Sequence, residues 1–386
     1  MIVLLSADHR EHSWNVRVIS KTKIASEGAG QIIVENNVAY IAHLIGEGVT
    51  LVDVSDPRSP KVLSKVAPPL KSHSHKVQVA GNIMIVNNER YKKLEPWVGG
   101  MRVYDVSDPC QPKELGFLET GGKGVHRMWY VGGKYAHITA HQDGFTDYIY
   151  CIVDMENPAK PEIVSRFWLP GMHEAGGETR TWDEATRFRA HGPPFVHGDR
   201  AYLGWTDGGF TTIDISDIYH PKLVAHKNWC PPFGGLFHTA LPLPERELII
   251  VTQEAHADFC MEPEKYAWVV DNRVETNPVP IATIQVEDEG FSMKGGRFGP
   301  HNIHEHRPGS MIDDRYVYIT YFNGGLRIID LKDKYRPREA GYFIPECPEG
   351  QSAIQTNDVF VDANGLIYIV DRWDGSMYIL EFTGRE

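Results

Sequence analysis

One short phrase returns along the chain and constrains its fold more than any other feature. An apolar run closes on an acid and then a turn: L-V-D-V-S-D-P at Asp53, V-Y-D-V-S-D-P at Asp105, I-V-D-M-E-N-P at Asp154 and T-I-D-I-S-D at Asp214. Weaker copies follow at Asp271, Asp330 and Glu381. Asp105 and Asp154 lie 49 residues apart, and Asp154 and Asp214 lie 60 apart. Repeats of this period indicate propellers or arrays rather than a doubly wound sheet. Seven units in 386 residues leave room for about four short strands each, the content of a propeller blade.

The second unit shows the grammar. Residues 76–80 read as a first strand, Gly81-Asn82 as a tight turn, 83–86 as a second strand, 101–106 as a third and 113–118 as a fourth. The repeated acids are expected to bond their own backbone in the turns, as short polar side chains do. The segment 15–21, N-V-R-V-I-S-K, is similar to P-K-V-L-S-K in the fourth strand of the first unit, yet it precedes every first strand. The last unit, 359–382, supplies three strands. The sequence therefore predicts one all-β domain over residues 1–386, a seven-bladed β-propeller closed by the N-terminal strand, which removes two open sheet edges. The 36 glycines suit many tight turns, and no helical apolar stripe of useful length competes with this reading.

The D-V-S-D-P and I-D-I-S-D words resemble the LVIVD repeat of predicted β-propeller proteins, and the resemblance runs over almost the whole chain. It implies a fold rather than an activity, because propellers host many functions.

Five histidines stand near the start of five successive units: His75, His126, His191, His238 and His301. A side chain returning at one place in consecutive blades lands on one ring around the axis. The words that follow differ (K-V-Q, R-M-W, G-P-P, T-A-L, N-I-H) while the histidine stays. The first and seventh units carry Gly30 and Asn357 instead, so the imidazoles form an arc open on one side. Neutral imidazoles without thiolates leave metal positions for water, oxygen or substrate. The expected cofactor is one divalent transition metal ion, iron in preference to copper, manganese or zinc. The competing explanation is a structural histidine copied with its blade. His73 and His304 sit near ring positions and offer a second register. The arrangement is similar in concept to that of carotenoid-cleavage oxygenases, selenium-binding methanethiol oxidases and oligogalacturonate lyases; no motif aligns with theirs, so the similarity implies a metalloenzyme and assigns no residue.

With no carboxylate among the five ring positions, the expectation is an oxidoreductase, an oxygenase or oxidase, acting on a small apolar or aromatic molecule. The alternative is a metal-dependent lyase, hydratase or isomerase using Glu254, His304 or His141 for acid–base work. The second alternative is a binding scaffold without catalysis. Trp205, Phe237, Phe298, Tyr321 and Trp373 are candidate substrate contacts, and Arg127 and Arg297 are candidates for an anionic group on it. Three long insertions, 170–189, 256–266 and 287–298, are expected to build a binding site or lid.

The formal net charge of −12 argues against nucleic-acid or anionic-membrane partners, and no apolar run reaches the eighteen or so residues of a membrane helix. Five cysteines without C-x-x-C spacing suit reduced thiols of a cytoplasmic protein, and the opening M-I-V-L-L-S-A-D-H reads as no secretory signal. A small-molecule substrate is the expected partner. Oligomeric state stays open.

Overall fold

The structure, a computed structural model, describes residues 12–44, 46–68, 72–90 and 97–385. The opening segment 1–9 lies outside the described residues. The architecture is all-β, a β-propeller built from up-and-down antiparallel sheets. Short 3-10 turns such as Glu174–Gly176 and Phe291–Met293 are confined to the connections.

The sheet of Phe237–Leu243, Leu248–Gln253, Ala267–Asp271 and Val279–Ile284 is representative, each strand pairing with the next. Its two inner strands are buried throughout, and exposure begins only in the outermost, as expected where apolar runs are covered on both faces. In the second unit the strands fall at Val77–Ala80, Ile83–Arg90, Gly100–Asp105 and Lys113–Glu119, within a few residues of the sequence-derived ranges. This sheet joins the next through Glu89 opposite Gly124, giving one nine-stranded assembly beside five four-stranded sheets among the described residues.

The repeated acids do what turn chemistry requires. Asp53 accepts from the Ser55 amide at 2.9 Å, Asp105 from Ser107 at 2.8 Å, Asp214 from Ser216 at 2.8 Å and Asp330 from Lys332 at 2.7 Å. Hydrogen bonds from the Ser107 amide and hydroxyl hold the Asp105 carboxyl below the ordinary aspartate range, and those from the Ser216 hydroxyl and amide do the same for Asp214.

Apolar clusters join each sheet to its neighbour. Val77 and Val79 of the second unit pack in one core with Ile32, Val52, Phe360 and Tyr368 of the first and last. Ile85 and Met101 share another with Ile138, Ile152 and Leu203. Near the N-terminus, Val16–Lys23 pairs antiparallel with Ser376–Phe382, Val16 opposite Phe382. His12–Trp14 adds a further edge strand to Arg338–Ile344.

Candidate functional site

A local irregularity decides what faces the axis. In four sheets the pairing of the first strand with the second skips one residue: between Ala29 and Gln31, Val125 and Arg127, Phe237 and Thr239, and Thr356 and Asp358. The skipped residues are Gly30, His126, His238 and Asn357, all ring positions. A regular strand sends successive side chains to opposite faces, whereas a bulge re-aims one of them. His126 and Arg127 thereby line the same cavity although they are adjacent in sequence. Side chains of the second strand satisfy amides released from the ladder: Thr139 Oγ1 accepts from the Arg127 amide at 3.0 Å and Thr320 Oγ1 from the Asn302 amide at 3.2 Å. In the second unit Asn87 Oδ1 does the same for the Lys76 amide at 2.8 Å.

All five ring histidines line one cavity of about 240 Å³, together with His73 and His256. They follow one another ring to ring. Centroids lie 5.3 Å apart for His75 and His126, 4.6 Å for His126 and His191, 4.9 Å for His191 and His238, and 4.7 Å for His238 and His301. His75, His191, His238 and His301 are buried, and burial pushes each well below the usual imidazole range. They are neutral at pH 7, as metal coordination requires.

Two carboxylates complete the cluster, and both lie at the ends of second strands. Glu254 Oε2 stands 2.9 Å from His191 Nε2, 3.3 Å from His256 Nε2 and 4.0 Å from His238 Nε2, while Oε1 lies 2.9 Å from Arg297 and 3.5 Å from His301 Nε2. Burial opposes ionisation of Glu254, but His256 and His301, with hydrogen bonds from His191 and His256, outweigh it and hold the carboxyl well below its ordinary range. Glu89 accepts from His126 Nδ1 at 3.0 Å and from the Tyr148 hydroxyl at 2.5 Å, with His73 Nδ1 at 3.3 Å. Burial lowers His126 while Glu89 raises it, and burial prevails.

The donor set suits a divalent ion. His191, His238 and Glu254 each offer a ligand atom, and these atoms lie within 4.8 Å of one another. Further hydrogen bonds fix the tautomers: His301 Nδ1 donates to the Asn357 carbonyl at 2.9 Å, and because Arg127 donates to His238 Nε2, His238 Nδ1 is the protonated nitrogen and donates to Thr239 Oγ1 at 2.7 Å, leaving both Nε2 lone pairs toward the cluster. Arg127 donates to His238 Nε2 at 2.7 Å, so an ion taking that nitrogen displaces the guanidinium.

Other sequence-derived candidates lie elsewhere. His141 accepts from the Lys123 amide through Nδ1 and meets the Phe145 carbonyl through Nε2, and it does not line the cavity. His304 is buried with Nε2 on the Met311 carbonyl at 2.8 Å and Nδ1 accepting from the Val361 amide at 3.1 Å; backbone uses both nitrogens, which leaves none for chemistry. The aromatics expected at the substrate are likewise absent from the lining. Trp205 is fully buried with its indole on Thr211, Phe237 packs with Trp268, and Phe298 packs with Tyr321. The lining is instead rich in cations, of which Lys76, Arg189 and Arg372 escaped the sequence reading. Lys76 and Arg127 each directly follow a ring histidine, so the repeat register held the signal for them. Each insertion delivers one lining residue: Arg189, His256 and Arg297.

Comparison with known proteins fits this architecture. The LVIVD repeat matches residues 28–67, 195–228 and 311–343. The chain carries LVIVD repeats. No curated protein matches it. Among solved structures, this LVIVD-repeat chain is similar to the WD40 β-propeller domain of Doa1, with a TM-score of 0.60 and 10% identity over 95% of this chain and 97% of that one. The β-propeller domain of Myceliophteria thermophila Cps50 gives 0.59 and 12% over 93% and 99%. The computationally designed Ika8 protein gives 0.53 and 9% over 94% and 98%. At these identities the likeness is one of fold.

Proposed function

We propose that the histidine cavity is the centre of a metal-dependent oxidoreductase, with His191, His238 and Glu254 holding one ferrous ion and His301 beside them. The observation that carries this reading is the convergence of two neutral imidazoles and one ionised carboxylate in a buried cavity. Two histidines and a carboxylate with open positions are the donor set of non-haem iron oxygenases. The five ring positions hold no carboxylate, and Glu254 adds one from the end of a second strand, beside His191 and His238. Glu254 is accordingly assigned as a ligand rather than a base. Iron bound there would supply oxygen activation. The protein's own residues orient the set through Asn357 and Thr239, exclude bulk water by burial, and keep His126 as a neutral imidazole anchored on Glu89 beside the substrate.

The His126–Glu89–Tyr148 chain favours one second reading, a lyase, hydratase or isomerase in which a redox-silent ion acts as Lewis acid and His126 takes the proton. Protein purified without chelator is expected to carry about one transition-metal ion per chain. Paired replacement of His191 and His238 by alanine is expected to abolish it with the fold intact. The ferrous protein should change its optical or magnetic spectrum on exposure to oxygen. Absence of metal in the parent defeats both readings, and full activity with zinc under anaerobic conditions defeats the first.

The same reading takes the whole chain as one domain of seven blades, sealed where Val16–Lys23 adds to Ser376–Phe382. Apolar clusters running from sheet to sheet, the last and first included, support it. Five free cysteines suit a cytoplasmic location, and no helix of the described residues is long and apolar enough to cross a membrane.

A further inference from the structure

Five cationic side chains line the cavity, Lys76, Arg127, Arg189, Arg297 and Arg372, against the single carboxylate of Glu254. This concentration of positive charge sits inside a protein whose formal net charge is −12. Buried charges are normally paired. Arg297 is paired, through Glu254 at 2.9 Å, and Arg189 reaches Asp147 only at 4.0 Å. The other three form no direct ion pair among the described residues, although buried Asp358 acts through space on Lys76 and Arg127, and Glu254 on all three. Lys76 is buried and donates to the Gly30 carbonyl at 2.8 Å. Arg127 is buried, donates to His238 and Asn302, and leaves Nε without an acceptor. Among the described residues Arg372 makes no ion pair or side-chain hydrogen bond, and its guanidinium lies 5.9 Å from the Phe322 ring.

We infer that these cations hold the substrate, and that it is a small organic oxyanion, a carboxylate or a phosphate ester, bound chiefly by Arg127, Arg372 and Lys76. The guanidinium fork matches the geometry of either headgroup, and a cavity of about 240 Å³ limits the molecule to modest size. The inference rests on reading the cavity as a reaction site. It replaces the apolar or aromatic substrate expected from sequence, since none of the aromatics on which that expectation stood lines this cavity. Two features of the pocket agree. Burial and the neighbouring Arg127 press Lys76 toward its neutral form, which a bound anion would reverse. A metal ion on His238 would free Arg127 from that nitrogen and release its Nη2 to the ligand.

The test is calorimetric titration of the protein, as purified and after chelation, with malonate, inorganic phosphate and the neutral analogue malonamide, alongside metal analysis of each sample. Malonate or phosphate is expected to bind and malonamide is not; the tighter of the two identifies the headgroup. Arg372→Gln and Lys76→Met should each weaken binding by about tenfold or more, with Arg372→Lys losing less and metal content unchanged. Three outcomes overturn the inference: no anion binds to metal-containing protein, malonamide binds as well as malonate, or the charge-removing variants retain full affinity. In each of these the metal reading survives if metal is present. Anion binding that depends on Arg372 in a protein that never contains metal upholds the inference and overturns the metal reading.

Discussion

Glu254 stands within 4.0 Å of four imidazoles, and so its charge, more than its shape, sets what the cluster can hold. Glu254→Gln keeps the volume and a hydrogen-bonding oxygen but removes the anion. Metal affinity is expected to fall by about tenfold or more, read by competition with a chelating dye. An unchanged affinity would remove Glu254 from the ligand set. Away from the cavity, His137 and His304 are buried as neutral rings, pushed down to about 4 and about 3 by desolvation. Their folded values lie below the unfolded value of about 6.5, so the stability they contribute is present above that pH and lost as pH falls toward 4. Each costs about 1.4 kcal/mol per pH unit in that window. His304→Gln should therefore lose about 2 kcal/mol less than the parent between pH 6.5 and pH 5 in urea unfolding, and parallel curves would show that His304 does not titrate there. The ring histidines were legible in the sequence because register within a repeat is a one-dimensional property. The role of Glu254 was not, since it depends on contacts to side chains 63 residues before and 47 residues after it in the chain.

Strands, turns and insertions could be read from the sequence with little loss, because alternation and turn chemistry are local. Lys76, assigned to the first strand of its unit, precedes the observed Val77–Ala80 by one residue. That residue marks what pattern reading could not give. The bulges at Gly30, His126, His238 and Asn357 leave no signature in the alternation of apolar and polar residues, and they decide which two neighbours reach the axis together. Their cost is met by the second strand. Thr320 Oγ1 accepts from the Asn302 amide and reaches the Asn357 carbonyl at 3.1 Å, tying two units at the ring. Thr320→Val keeps the branched shape and leaves a buried amide without its acceptor. Stability should drop by about 1–3 kcal/mol in denaturant unfolding. A neutral result would mean the Asn302 amide finds another partner and the threonine is not what holds the ring in register.

In the whole molecule, a row of sheets packed each on the next has two open edges unless it closes on itself, as proposed above. Val16–Lys23 covers the edge of Ser376–Phe382, with Val16 and Phe382 buried in the core that also holds Tyr316 and Leu380. His12–Trp14 lies on Arg338–Ile344 and is exposed throughout. The two N-terminal strands should thus differ sharply in what they contribute. Removing residues 1–14 deletes an exposed edge strand and is expected to lower the melting temperature by only a few degrees. Removing residues 1–23 uncovers a long apolar strand edge and part of a core shared between first and last units; an edge of that kind templates pairing with other chains. The shorter protein is expected to melt at least about 10 °C lower and to aggregate, since each kcal/mol lost moves the melting temperature of a large domain by roughly 2–4 °C and the deletion removes several. A synthetic peptide spanning residues 15–24, added in excess, should restore much of the loss by adding a strand to the vacant edge. Equal melting of the two truncations, or no rescue by the peptide, would show that the ring is held by the sheet-to-sheet cores alone and needs no strand from the N-terminal segment to seal it.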